Sequence, residues 1–219
     1  MEKQEKLNHY SIDAVLDSYN IETVTQCQHL DDWLTAQPTD FSPLEKLLLD
    51  ELPEELRENE RSWNEEELKI NFIGAVFRIA KLNVKGVMKT FFERSLSGTV
   101  QGKKISVIVD CMVASPKKSG NPEAPYFFLQ EYKRSKGDSH DPEGQMLAAM
   151  LLAQEKNEDK SPLYGCWVQG AAWRFTVLNG LEYCVSQTFD ATNPTALLQI
   201  VLILRKLKKL ILMRTNNGY

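Results

Sequence analysis

Two short stretches constrain this chain more than any others, because both read as strands and neither is long enough to be a helix of its own. Residues 103–114 (KKISVIVDCMVA) are rich in β-branched side chains, and residues 126–133 (YFFLQEYK) are aromatic and apolar. The intervening Ser-Pro-Lys-Lys-Ser-Gly-Asn-Pro is loop chemistry, so the pair predicts a hairpin. Strand alternation places Leu129, Glu131 and Lys133 on one face of the second stretch, with Phe128, Gln130 and Tyr132 on the other. A carboxylate and an ammonium then sit side by side at the end of an apolar strand. Burying them without partners is costly, so they either pair at a surface edge or form a site.

Helical periodicity frames these strands. Asn64 reads as an N-cap with Glu67 as its capping-box partner, and Leu68, Phe72, Ile73, Val76, Phe77 and Ala80 form an apolar stripe. Asp141-Pro142 opens a second helix over 143–154 that is apolar on nearly every face, hence buried. Strand patterns return over 164–168 and 173–178; the tight-turn pair Asn179-Gly180 leads to 181–186, and Asn193-Pro194 opens a last helix. The order helix, strands, helix, strands, helix predicts an α/β or mixed α+β fold around one central sheet flanked by helices. The first 60 residues show short helical patterns over 11–17 and 43–51, separated by breaks at Pro38 and Pro53. They read as a helical N-terminal extension, with residues 61–219 as the main domain.

Charge divides the chain in the same way. Residues 1–70 carry 18 acidic against 6 basic side chains, a net of −12, and residues 71–219 carry 12 against 20, a net of +8. A basic body suits a polyanionic partner, and a solvated charged surface is the plainer alternative. The acidic front could also cover the basic body and compete with nucleic acid. With 42% hydrophobic and 26% charged residues, a disordered chain is excluded. Cys27, Cys111, Cys166 and Cys184 are scattered, with no CxxC pair and no neighbouring His, and read as buried free thiols rather than a zinc site. No secretory signal opens the sequence, so the expected location is cytoplasmic. Residues 196–213 are too interrupted by Arg205, Lys206, Lys208 and Lys209 to span a membrane.

Asp110 ends the apolar run 105–109 and adds a second carboxylate to a strand expected to pair with that of Glu131. Two such acids suit Mg²⁺, which takes oxygen ligands and keeps several waters; a strand-end Asp that caps a turn is the alternative. At 100° per residue from Leu68, the apolar stripe centres near about 80°, with Glu65 at about 60°, Glu66 at about 160° and Glu67 at about 260°. Glu65 is therefore the inward-pointing acid of the three.

These residues resemble the PD-(D/E)XK nuclease superfamily, and within it the N-terminal nuclease domain of type I restriction enzyme subunits, over about residues 63–212. Glu65 ahead of Phe72-Ile73, Asp110, Glu131-x-Lys133, Gln145 in the following helix, and Gly170 with Trp173-Arg174 before the last helix occur in the family's order. Val109 stands where the superfamily's name places a Pro. The resemblance implies a restriction-endonuclease-like core and metal-dependent hydrolysis of phosphodiesters, in DNA more than RNA. It implies Mg²⁺ or Mn²⁺ on Asp110 and Glu131 with Glu65 as a direct or water-mediated ligand, Lys133 positioning or activating water and stabilising charge, and Gln145 orienting water or a phosphate. Lys117, Lys118, Arg134 and Lys136 are expected to flank the site in loops and to follow a nucleic-acid backbone without reading bases, whereas His140 reads as a turn residue. Two other readings remain open: a nuclease-fold module that binds without turnover, and an interaction module presenting the basic final helix, Arg205 to Arg214. A homodimer or a protein partner fits any of the three.

Overall fold

A computed structural model of the chain describes residues 10–135, 141–159 and 161–216. The N-terminal segment folds as α1 (Ile12–Tyr19), β1 (Glu22–Thr23), α2 (Gln28–Leu34) and α3 (Pro43–Asn59). Next comes α4 (Glu65–Glu67), which runs through a π-helical turn (Leu68–Ile73) into α5 (Gly74–Ala80). Three long strands follow, β2 (Lys89–Val100), β3 (Lys103–Pro116) and β4 (Pro122–Lys133), and then α6 (Pro142–Lys156). The chain closes with β5 (Leu163–Gln169), β6 (Ala172–Asn179), β7 (Glu182–Val185), β8 (Phe189–Asp190) and α7 (Pro194–Asn216).

The strands make one mixed sheet in the order β1-β7-β6-β5-β4-β3-β2, with β8 paired to β6. The expected β3–β4 hairpin forms, and β4 and β5 run parallel with α6 as their crossover. A parallel connection demands such a crossover, and α6 buries almost all of its length, as its sequence requires. The fold is thus mixed α/β with helices on both sheet faces. One core packs Leu129, Met146, Met150 and Leu178 under α6 and α1; the other packs Phe128, Tyr132, Trp173 and Leu204 under α2, α3, α5 and α7. Close approach of α6 is set by two glycines. A Cβ on Gly165 of β5 would lie 2.8 Å from Met150 Sδ, and one on Gly144 would lie 2.1 Å from the Tyr10 carbonyl.

Several sequence expectations are corrected. Pro53 does not break a helix but lies inside α3, where Leu52, Pro53 and Leu56 are buried together, so tertiary packing outweighs the lost backbone bond. Asp110 is not at a strand end but mid-way along β3. β2 has no counterpart among the expected strands: its polar positions Glu93, Arg94, Ser95 and Ser97 hide the apolar alternation. The stretch 12–56 contributes Val15 and Tyr19 to one core and Leu30, Trp33, Leu52 and Leu56 to the other. Nor is α7 a free basic face. Arg205 pairs with buried Glu45 at 2.7 Å, Lys206 donates to the Asp32 and Thr35 carbonyls, and Arg214 pairs with Asp159. No helix among the described residues is long and apolar enough to cross a membrane.

Trp33 ties the N-terminal segment to the sheet. Its indole donates to the Ile203 carbonyl at 2.9 Å, and its ring packs edge-on against Tyr164 and Phe175 with centroids 4.9 and 5.1 Å away. Trp33→Ala is expected to cost about 3–5 kcal/mol in urea unfolding, in line with large-to-small changes at fully buried aromatics. A loss below about 1 kcal/mol would show that the segment is not an integral part of the core.

Candidate active site

The site begins where β3 and β4 part. Their backbone pairing runs from Pro116 opposite Pro122 to Cys111 opposite Gln130, and the next residues along are Asp110 and Glu131. There the side chains replace the ladder: Asp110 Oδ2 accepts from the Tyr132 amide at 3.0 Å, and Glu131 Oε1 accepts from the Asp110 amide at 3.4 Å. On the other side of β3, Phe92 opposes Cys111 and Arg94 opposes Val109, with Glu93 between them in the left-handed region at φ 51°. Ile105, Val107 and Val109 face α6, yet beyond Asp110 that core takes Met112 and Ala114. The side-chain period slips by one at Asp110, and this irregularity is how an acid enters the middle of a core strand.

Lys133, one alternation past Glu131, completes the centre. Its Nζ lies 3.6 Å from Asp110 Oδ2 and 3.4 Å from Glu65 Oε1, and it donates to the Tyr132 carbonyl at 3.2 Å. Asp110, Glu131 and Lys133 are only 6%, 2% and 7% exposed, while Glu65 is half-exposed in the first turn of α4. A surface-edge ion pair is excluded, because β4 is an interior strand with β3 and β5 on its flanks. Asn64 and Glu67 form the expected capping box, and Glu66 pairs with Lys69, which leaves Glu65 as the acid of that run turned to the site. Burial pushes the Glu131 carboxyl well above its ordinary range, and the Asp110 charge and a hydrogen bond to Asp110 raise it further. Asp110 is also raised by burial, against the opposing pull of Lys133. Burial opposes the charge on Lys133, but Asp110, Glu131 and Glu65 together hold its pKa above normal. The two carboxyls are therefore a coupled pair whose charged forms are disfavoured by burial and by each other, beside an ammonium that their charge favours.

A second ring of residues lies around this centre. The Tyr132 hydroxyl donates to Glu93 at 3.4 Å, and Glu93 also takes Lys69 at 3.0 Å. Register aligns Glu131 with Trp167 of β5, and Trp167 with Arg174 of β6. The Arg174 guanidinium stacks 5.3 Å from the Trp167 ring, and its Nε donates to Thr188 Oγ1 at 2.8 Å. Gln145 occupies the first turn of α6, the end of that helix nearest the C-terminal ends of β4 and β5. Its Oε1 and Trp167 Nε1 are buried with no hydrogen-bond partner among the described residues. Trp167, Glu93 and Lys69 escaped sequence reasoning, since strand register and the β2 irregularity carry no local signal. Arg134 is exposed immediately after β4. Lys117 and Lys118 lie instead at the far tip of the hairpin, about 23 Å from Asp110 at strand rise, and do not flank the acids. Lys136 and His140 fall outside the described residues.

Among the described residues, no group of three or more His, Cys, Asp or Glu is arranged to hold a metal ion, and Glu65 is engaged by Lys133. The donor chemistry of Asp110 and Glu131 nevertheless fits a hard divalent cation. They are two buried carboxyls whose charged forms burial disfavours, and one or two carboxylates plus waters are what Mg²⁺ usually takes from a protein. The chain matches no family model and no curated protein.

Because Glu131 binds its proton more tightly folded than unfolded, folding loses stability as pH rises from the ordinary carboxylate range toward the raised value. Glu131→Gln removes that loss while keeping an acceptor for the Asp110 amide. In chelator-treated buffer, the variant is expected to gain stability relative to wild type between pH 5 and pH 8, read from urea midpoints. Identical pH slopes would show that Glu131 holds no such proton.

Proposed function

We propose that this chain is a metal-dependent nuclease with a restriction-endonuclease-like core, hydrolysing phosphodiester bonds in DNA in preference to RNA. The observation that supports it is the buried Asp110, Glu131 and Lys133 cluster. An acid pair and an ammonium in the middle of a sheet contribute little to stability over apolar replacements, so they point to chemistry. Asp110 and Glu131 would hold Mg²⁺ or Mn²⁺, with Glu65 next to them. Bound there, the ion supplies a Lewis acid for the phosphate and lowers the pKa of water. Lys133, held cationic by its three acids, stabilises negative charge that develops on the phosphate rather than acting as a base. Gln145 offers an unpartnered amide oxygen to orient water. Arg174, fixed through Nε and the Trp167 ring, keeps its terminal nitrogens for a neighbouring phosphate.

Cleavage of supercoiled plasmid and single-stranded DNA with Mg²⁺ or Mn²⁺ tests this reading. Wild type is expected to cleave, chelation to abolish cleavage, and Asp110→Asn and Lys133→Met to lose about 100-fold or more. Equal cleavage by all proteins, or none by wild type on DNA and RNA, overturns it; binding without cleavage favours the module that binds without turnover.

Arg174→Ala is expected to weaken nucleic-acid binding at low salt and to lower the slope of log affinity against log salt by about 0.9, the value for one lost phosphate contact. Titrations of a labelled duplex at several salt concentrations measure it, and an unchanged slope removes Arg174 from the interface.

A further inference from the structure

On the sheet edge opposite β2, β1 and β7 run parallel, with Thr23 opposite Tyr183 and the Val24 amide donating to the Tyr183 carbonyl at 2.9 Å. That pairing carries the chain past Cys184 of β7 and on into α2, whose N-cap is Cys27. Both cysteines line one cavity of about 430 Å³, whose walls also include Asp31, Ser186, Gln187 and Gln199. The Cys27 thiol is near enough to raise the Cys184 pKa, and Cys184 Sγ donates to the Val177 carbonyl at 3.6 Å. Cys27 is half-exposed and Cys184 is buried. Cys111 and Cys166, by contrast, are fully buried in the sheet and do not line this cavity.

We infer that Cys27 and Cys184 form a thiol pair at which a small hydroperoxide is reduced and a disulfide is made, covalently joining α2 to β7. The accessible Cys27 sulfur attacks the terminal peroxide oxygen. The O–O bond breaks, the hydroperoxide leaves as its alcohol or as water, and Cys27 becomes a sulfenic acid. Cys184 sulfur then attacks Cys27 sulfur; the S–O bond breaks, and the departing hydroxide leaves as water with the Cys184 proton. In sum, two thiols and one hydroperoxide give one disulfide, one alcohol and one water. Burial and the neighbouring Cys27 raise the Cys184 pKa, which disfavours Cys184 as the first attacker. The new bond would close the chain from α2 to β7 and lock the N-terminal segment to the sheet.

Hydrogen peroxide on the full chain tests this, with thiols counted after denaturation and products mapped by mass spectrometry without reductant. The count is expected to fall from four to two, the mass to drop by about 2 Da for two lost hydrogens, and the Cys27 and Cys184 peptides to be linked. Dithiothreitol should reverse all three changes. Cys27→Ser should keep its three thiols, and Cys184→Ser should stop at a sulfenic acid on Cys27 that dimedone captures. Should Cys184→Ser fail to fold, the wild-type peptide map and Cys27→Ser decide the matter. Four persisting thiols, oxygen addition without a link, a link through Cys111 or Cys166, or equal thiol loss in Cys27→Ser overturns the inference.

Discussion

Two backbone amides freed where β3 and β4 separate, those of Asp110 and Tyr132, dictate the local arrangement of this protein. A buried N–H without an acceptor costs about 1–3 kcal/mol, so the strands can part inside the sheet only if something replaces the ladder. Asp110 and Glu131 do so reciprocally, each reaching across to the opposite strand. The same two carboxyls then define the candidate chemistry, which means that structure and function cannot be separated there by alanine. Removing either group orphans an amide and alters the charge on its neighbour at once. Asn and Gln keep an acceptor while deleting the charge, so they isolate the chemical contribution.

The charge imbalance between the front and the body is used in part to hold them together. Glu45 of α3 takes both Arg205 of α7 and Lys81 after α5, with the carboxyl and the guanidinium both largely buried. Lys103 of β3 reaches the Ser18 carbonyl and Arg57 of α3 the Thr192 carbonyl. Asp141, which caps α6, also accepts from the Ile12 amide at 2.6 Å, so one carboxylate starts α6 and anchors α1. These contacts fix the acidic segment to both sheet faces, and the apolar side chains it buries supply the larger part of the attraction.

What was legible in the sequence was whatever is written in local periodicity. The hairpin, the capped helix from Asn64, the buried α6 and the β6–β7 turn each announce themselves within a dozen residues. Of the candidate site, alternation puts Glu131 and Lys133 on one strand face and the helical angle turns Glu65 inward, but their meeting with Asp110 depends on tertiary packing that the sequence does not carry. What could not be read depends on register or on long-range packing. Trp167 joins Glu131 only through parallel pairing of β4 with β5, and Glu93 reaches Tyr132 only because β2 twists into a left-handed residue opposite Asp110. Pro53 misled for the opposite reason: a strong local breaker lost to the burial of Leu52 and Leu56 around it.

Charge counting at the centre explains why one arrangement serves both folding and the proposed reaction. Glu65, Asp110 and Glu131 offer three negative charges and Lys133 a single positive one. Burial favours the neutral forms of Asp110 and Glu131, and on Glu131 the Asp110 charge pushes the same way. On the proposed function, Asp110 and Glu131 would hold a divalent ion whose charge would balance the acids that Lys133 alone does not. On that proposal the same burial that favours the neutral carboxyls in folding would favour a cation beside them. Apolar replacement would cost a purely structural acid pair little, so it is the buried charge at Asp110, Glu131 and Lys133 that supports the proposed chemistry, while Lys69 and Glu93 form an ion pair at its rim.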